Sequence, residues 1–180
     1  MEELNESEEK ISVKSASLKY GLIYGLISII MFIFLQVTKL DQSIIASILG
    51  FAVMIGALIW ILNDFKKNNQ GFMSFSEGFG LGMLVYLIGG TISGLFSILY
   101  MNVLDPSYVA NKIAEARANM EQQNPNLTDE QIDFALSWSS YFMQPIPFFI
   151  VVMVFTLVIG AIVSLILAAI LKKDNPEPYI

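Results

Sequence analysis

Four stretches of the sequence carry no charge: Tyr20 to Thr38, Gln42 to Asn63, Gly78 to Leu104 and Phe134 to Leu171. All 10 basic and 16 acidic residues lie between or beyond them. A helix needs about 20 apolar residues to cross a hydrocarbon core of roughly 30 Å, and each stretch is long enough. One such block fits the core of a soluble protein, but four in 180 residues leave almost no polar exterior. The pattern predicts an all-α integral membrane bundle of four transmembrane helices, at about 18–38, 43–63, 76–104 and 146–171. An outer helical hairpin at about 106–142 joins the third to the fourth.

The polar positions between the blocks carry start and stop signals. Asp41 follows the short Lys39-Leu40 turn and is placed to cap the second helix. Ser74, with Glu77 three residues on, matches a capping box opening the third, just before Gly78. That makes Glu77 a cap, with an ion or proton ligand facing a cavity as the sharper alternative. Asp105-Pro106 reads as a helix start, since Asp caps and Pro suits the first helical position. Val109, Ile113, Ala116 and Met120 then form one apolar stripe, which should break at Asn124-Pro125-Asn126. Thr128 and Gln131 form a second capping box, with Leu127 stapling against Ile132. This helix should run to about Phe142 and stop at Gln144-Pro145-Ile146-Pro147.

Three units follow: a mobile acidic cytoplasmic tail over 1–17, a single membrane domain over 18–173 that includes the extracytoplasmic hairpin 105–142, and a cytoplasmic tail over 174–180. Orientation comes from the basic residues flanking the spans. Lys10, Lys14, Lys19, Lys66, Lys67, Lys172 and Lys173 fall on one side, and Lys39, Lys112 and Arg117 on the other. Seven against three places both termini in the cytoplasm. The acidic start, Glu2, Glu3, Glu6, Glu8 and Glu9, argues against a secretory signal peptide. Trp60 and Tyr20 fall near one membrane face, Tyr100 and Trp138 near the other, as an aromatic belt requires.

Composition narrows the chemistry. A net charge of −6 excludes nucleic acid as a partner. With no cysteine and no histidine, disulfides, thiolate chemistry and the usual zinc, copper, iron–sulfur and haem ligands are missing. No phosphate loop or nucleophile elbow is present, so no catalytic, cofactor-binding or metal residue is assigned. The hairpin sums to −4 from six acidic and two basic residues, which favours packing on the bundle or a protein partner over lying on anionic lipid.

What remains is a recurrence of small residues at four-residue spacing. Gly21 and Gly25, Ala46 and Gly50, Ala52 and Gly56, Gly78 and Gly82, Gly90 and Gly94, and Gly160 and Ser164 all show it. Such faces let helices approach where lipid gives no hydrophobic drive, either inside one bundle or between two copies. The third helix, richest in glycine and with Thr91, Ser93 and Ser97, should be central and is the place for a narrow polar path. Short echoes between the two halves, Lys39-Leu40-Asp41 beside Leu104-Asp105, hint at a duplication.

Lys19-Tyr20-Gly21-Leu22 with Gly25, Met73-Ser74-Phe75-Ser76-Glu77-Gly78 and Leu104-Asp105-Pro106-Ser107-Tyr108 resemble the domain-of-unknown-function family 4199 (DUF4199). These are small four-helix membrane proteins found mainly in Bacteroidota. The resemblance implies a bacterial inner-membrane location and supplies no activity, cofactor or catalytic residue. The expected partners are therefore the lipid bilayer and a second copy or an unknown membrane or periplasmic protein. The functional expectation is a non-enzymatic structural or interaction role through the outer hairpin and the glycine-rich faces. The alternative is a small transporter or channel subunit with a path lined by the third helix.

Overall fold

A computed structural model describes residues 11–175. Residues 1–10 of the expected 1–17 tail and the last five residues lie outside them. Six α-helices follow in order: α1 Val13–Thr38, α2 Ile44–Asn68, α3 Phe75–Leu99, α4 Tyr108–Gln123, α5 Asp129–Phe142 and α6 Pro145–Leu171. One π-helical turn, Tyr100–Leu104, extends α3. No strand occurs among the described residues, only an isolated bridge between Met73 and Lys173. α1, α2, α3 with its extension, and α6 are long and apolar enough to cross a membrane. The chain is therefore a multi-pass helical membrane protein with a hairpin, α4–α5, between its third and fourth spans.

The local signals set most boundaries, but α2 runs on to Asn68, five residues past its expected end at 63, and three further places differ. Ser12 caps α1, its hydroxyl accepting from the Ser15 amide at 3.1 Å, so the helix starts five residues before the expected position 18. Ala16 and Ser17 continue the helical face of Tyr20 and are buried, which folds residues 13–17 out of the expected mobile tail. The Ile11 amide also donates to Asn69 Oδ1 at 3.1 Å. α2 is capped by Ser43, which accepts from the Ala46 amide at 3.3 Å, and not by Asp41. Asp41 sits too far before the first helical turn to reach its amides, and its carboxylate accepts from Lys112 instead. Asp105 and Pro106 also fail to open α4, which starts at Tyr108. Asp105 is held in a turn: its amide donates to the Tyr100 carbonyl at 2.8 Å, its carbonyl accepts from Tyr108 at 3.0 Å and its carboxylate accepts from Ser107 Oγ at 2.6 Å. Pro106 occupies the middle of that turn, where its fixed φ is accommodated before the helix begins.

α3 is the central helix and is flanked by α1 and α6. A Cβ built on Gly21 would come within 2.6 Å of Ile88, and one on Gly89 within 2.8 Å of Tyr24, so hydrogen in place of a side chain is what seats α1 on α3. On the other flank Gly90 meets Thr156 and Gly160 meets Tyr86, each at 2.6 Å by the same measure. The core itself gathers at the end of the bundle where the described residues begin and end, the terminal end. Leu58, Ile61, Leu62 and Phe65 of α2, Leu81 and Val85 of α3, and Val163 and Leu167 of α6 are buried there around Tyr20, Tyr24 and Tyr86. Lys66 Nζ donates to the Leu171 carbonyl at 3.1 Å, and Met73 and Lys173 exchange backbone hydrogen bonds of 2.9 and 2.8 Å, which tie α2, α3 and α6 together at that end.

Candidate functional site

The residues singled out in the sequence do not converge on one site. Ser74, Glu77 and Gly78 open α3 at the terminal end. Asp105 and Pro106 lie beyond its far end, about 45 Å away for 30 helical residues. Ser74 and Glu77 form the expected capping box. The Ser74 amide and hydroxyl both donate to Glu77 Oε2, at 2.7 and 2.8 Å, while the Glu77 amide donates to Ser74 Oγ at 3.2 Å. Glu77 is thereby occupied as a cap. Gly78 lies against Ala168 and the flexible end of Met73.

Gly78, Gly82, Gly90 and Gly94 form one face along α3, and α6 covers it. Gly82 meets Ser164, Gly90 meets Thr156, and Gly94 meets Phe149 at 3.2 Å. Ser164 is fully buried and its hydroxyl has no conventional partner among the described residues. Its oxygen sits where a Gly82 side chain would be, so it meets the glycine Cα–H, a weak contact that recurs where membrane helices touch. Within the described residues, the glycine face thus serves internal packing.

Away from the terminal end, α2 and α6 bury few side chains, and a cavity of about 280 Å³ opens near mid-helix. Tyr24, Ser28, Met54, Tyr86 and Thr156 line it, with Phe51 and Phe155 exposed at its rim. Ser93 of α3 lines it too, and the α3 hydroxyls each donate back to their own helix. Thr91 donates to the Leu87 carbonyl at 2.7 Å, Ser93 to that of Gly90 at 3.3 Å and Ser97 to that of Ser93 at 2.9 Å.

The most developed polar cluster was not legible in the sequence. Where the α1–α2 turn meets α4, Lys112 Nζ donates to Asp41 Oδ2 at 2.5 Å and to Glu115 Oε2 at 2.9 Å, and Gln42 Nε2 donates to the same Glu115 oxygen at 2.6 Å. The Gln36 amide reaches the Tyr108 hydroxyl at 3.5 Å. Burial presses the Lys112 ammonium toward its neutral form. The hydrogen bonds to Asp41 and Glu115, reinforced by their charges, outweigh it and hold the group above the ordinary lysine range. Burial raises the Tyr108 phenol, with Lys112 pulling against it. Beside this clasp lies a polar cleft of about 520 Å³. The hairpin closes on itself as well: Arg117 pairs with Asp133 of α5 and lies 3.7 Å from Glu121. Thr128 and Gln131 form the expected second capping box.

The architecture defines an all-α multi-pass membrane protein whose described residues pack around a glycine-rich central helix. The chain belongs to the family described as Protein of unknown function (DUF4199), whose model matches residues 19–173. No curated protein matches the sequence and no solved structure matches it.

Proposed function

We propose that this protein is a non-enzymatic inner-membrane protein, with both termini in the cytoplasm, that holds the α4–α5 hairpin on the outer side as a docking element for another protein. The observation that carries this is the clasp. Asp41, Gln42, Lys112 and Glu115 fix α4 to the α1–α2 turn, so the hairpin is carried at a set angle and does not trail as a loop. A fixed element loses less freedom when it binds, which is the thermodynamic advantage of preorganisation. Asp129, Glu130 and Asp133 give its outward end an acidic character suited to a basic surface on a partner. The excess of seven lysines over three basic residues supports the orientation.

Two parts of the earlier expectation weigh less. The glycine faces of α1, α3 and α6 are spent on α1–α3 and α3–α6 contacts, which leaves a role in joining copies to the exposed Ala52–Gly56 face of α2. A path along α3 is opposed by hydroxyls turned onto their own helix and by the filled core at the terminal end.

The test is a photo-crosslinking amino acid at Glu130 in native membranes. It should give a discrete protein adduct whose yield falls when Lys112→Met loosens the clasp. No adduct from any position on the hairpin overturns the reading.

A further inference from the structure

α5 has three different sides. At 3.6 residues per turn, Phe134, Trp138, Tyr141 and Phe142 fall within an arc of roughly 100°, while Ile132 and Leu136 project from the opposite side. Ile132 and Leu136 are the buried pair, at 2% and 6% exposure. The aromatic side remains open: Phe134, Trp138, Tyr141 and Phe142 are 67%, 54%, 56% and 45% exposed. It is also organised. Trp138 stacks on Phe142 at a ring separation of 6.2 Å, and Tyr141 meets Trp138 and Phe142 edge-on at 6.4 and 5.4 Å.

We infer that this aromatic side of α5 rests in the headgroup layer of the bilayer leaflet at the hairpin end, making α5 an interfacial helix. The occupant of the open face is lipid because of what adjoins it. Phe142 precedes Pro145, the first residue of the α6 span, by three positions, and the first exposed large apolar residues along α6, Ile146 and Ile150, face hydrocarbon by virtue of that span. The aromatic row therefore continues a surface that already meets the membrane. Its chemistry fits the depth: Trp and Tyr bury a large apolar ring and keep one polar atom for water or headgroups, and both concentrate at membrane interfaces.

The charge objection raised by the hairpin's acidic total does not reach this surface. Asp129 falls beside Leu136, on the side away from the rings, and Asp133 falls between the two sides and is paired with Arg117. Glu130 alone shares the aromatic side, in the first turn, and stands about 12 Å along the axis from Trp138. α5 then leans with its last two turns in the interface and its first turn in water. This holds whichever side of the membrane carries the hairpin and whether or not a protein docks on it. Where one does, the acidic side is what remains for it.

The experiment uses the full chain with Trp60→Phe, leaving Trp138 as the single indole, reconstituted at low density in phosphatidylcholine vesicles that hold no other protein. Brominated lipids carry the quencher at shallow or deep positions. Trp138 should emit in the blue-shifted range of a half-buried indole, lose most of its emission to shallow bromines and lose less to deep ones. Emission typical of indole in water, with quenching by acrylamide and by no brominated lipid, overturns the inference. So does protection that appears only as protein density rises, which points to a second copy. Should Trp60→Phe fold poorly, a nitroxide on Trp138→Cys in the otherwise native chain reads the same depth through its relative accessibility to oxygen and to a water-soluble nickel complex.

Discussion

At the residue scale, the glycines divide into those that hold the bundle together and those, such as Gly56, that do not. A methyl group at Gly82 would lie 2.7 Å from the Ser164 Cβ on a packed helix, so Gly82→Ala must push α6 away from α3. The cost expected for such overpacking is about 1–3 kcal/mol. Gly56 has nothing within 4 Å, and its replacement by Ala adds helix propensity without a clash. Gly56→Ala should therefore be neutral or stabilising, and Gly82→Ala should lower the thermal midpoint of the detergent-solubilised protein in a size-exclusion assay. Equal effects would mean that spacing alone, and not the α3–α6 contact, governs these positions. Both glycines belong to pairs with the same four-residue spacing, so the sequence could not rank them: spacing names a face but not what covers it. The Ser74–Glu77 box was legible because donor and acceptor lie three residues apart on one helix. Ser74→Ala should cost about 1 kcal/mol by the same assay. Glu77→Gln should cost less, because its amide oxygen still accepts from the Ser74 backbone, whereas an ion ligand would lose its charge-dependent role altogether.

Elements add a level at which sequence and structure part. The span and hairpin helices were readable from charge-free length and from caps, yet Asp41 was assigned to the wrong partner. Its true partner, Lys112, is 71 residues away, a separation that no local pattern reports. Lys112 and Asp41 each keep only 19% of their side-chain surface exposed. Removing the ammonium leaves the largely buried Asp41 carboxylate without its counter-charge and facing that of Glu115, which is 47% exposed and partly screened by water. Lys112→Met should destabilise the hairpin by about 1–3 kcal/mol, between the values for exposed and buried pairs. Faster proteolysis between α4 and α5, with the membrane spans intact, is the readout. The pH dependence follows from the direction of the shift. Because the folded-state pKa of Lys112 lies above the ordinary lysine value of 10.5, its contribution is complete below 10.5 and is lost as pH rises through the folded value. Hairpin protection should accordingly not fall through Lys112 between about pH 7 and pH 9, and should decline only in strong alkali. A Lys112-dependent loss near neutrality would show that the clasp does not hold the ammonium in its charged form.

Across the whole molecule, one division organises the rest. The terminal end is closed by a shared core and by the Met73–Lys173 bridge, and the hairpin end is held by the clasp and by aromatic contacts such as Phe32–Tyr100 and Tyr100–Tyr108, both edge-on at 5.1 and 5.7 Å. Asn68, at the end of α2, and Asn126, between α4 and α5, are both exposed and mark these opposite ends. The fold alone assigns neither end to a compartment, since a helical bundle is stable in either orientation. What breaks the symmetry is the cost of translocating positive charge, borne here by Lys66, Lys67, Lys172 and Lys173 clustered at the terminal end. Because the chain has no cysteine, one introduced thiol reports one position without background. In cells whose outer barrier is opened, Asn126→Cys should react with an impermeant maleimide, and Asn68→Cys should react only after the inner membrane is permeabilised. The reverse labelling would invert the proposed topology and move the hairpin, with any partner it binds, into the cytoplasm.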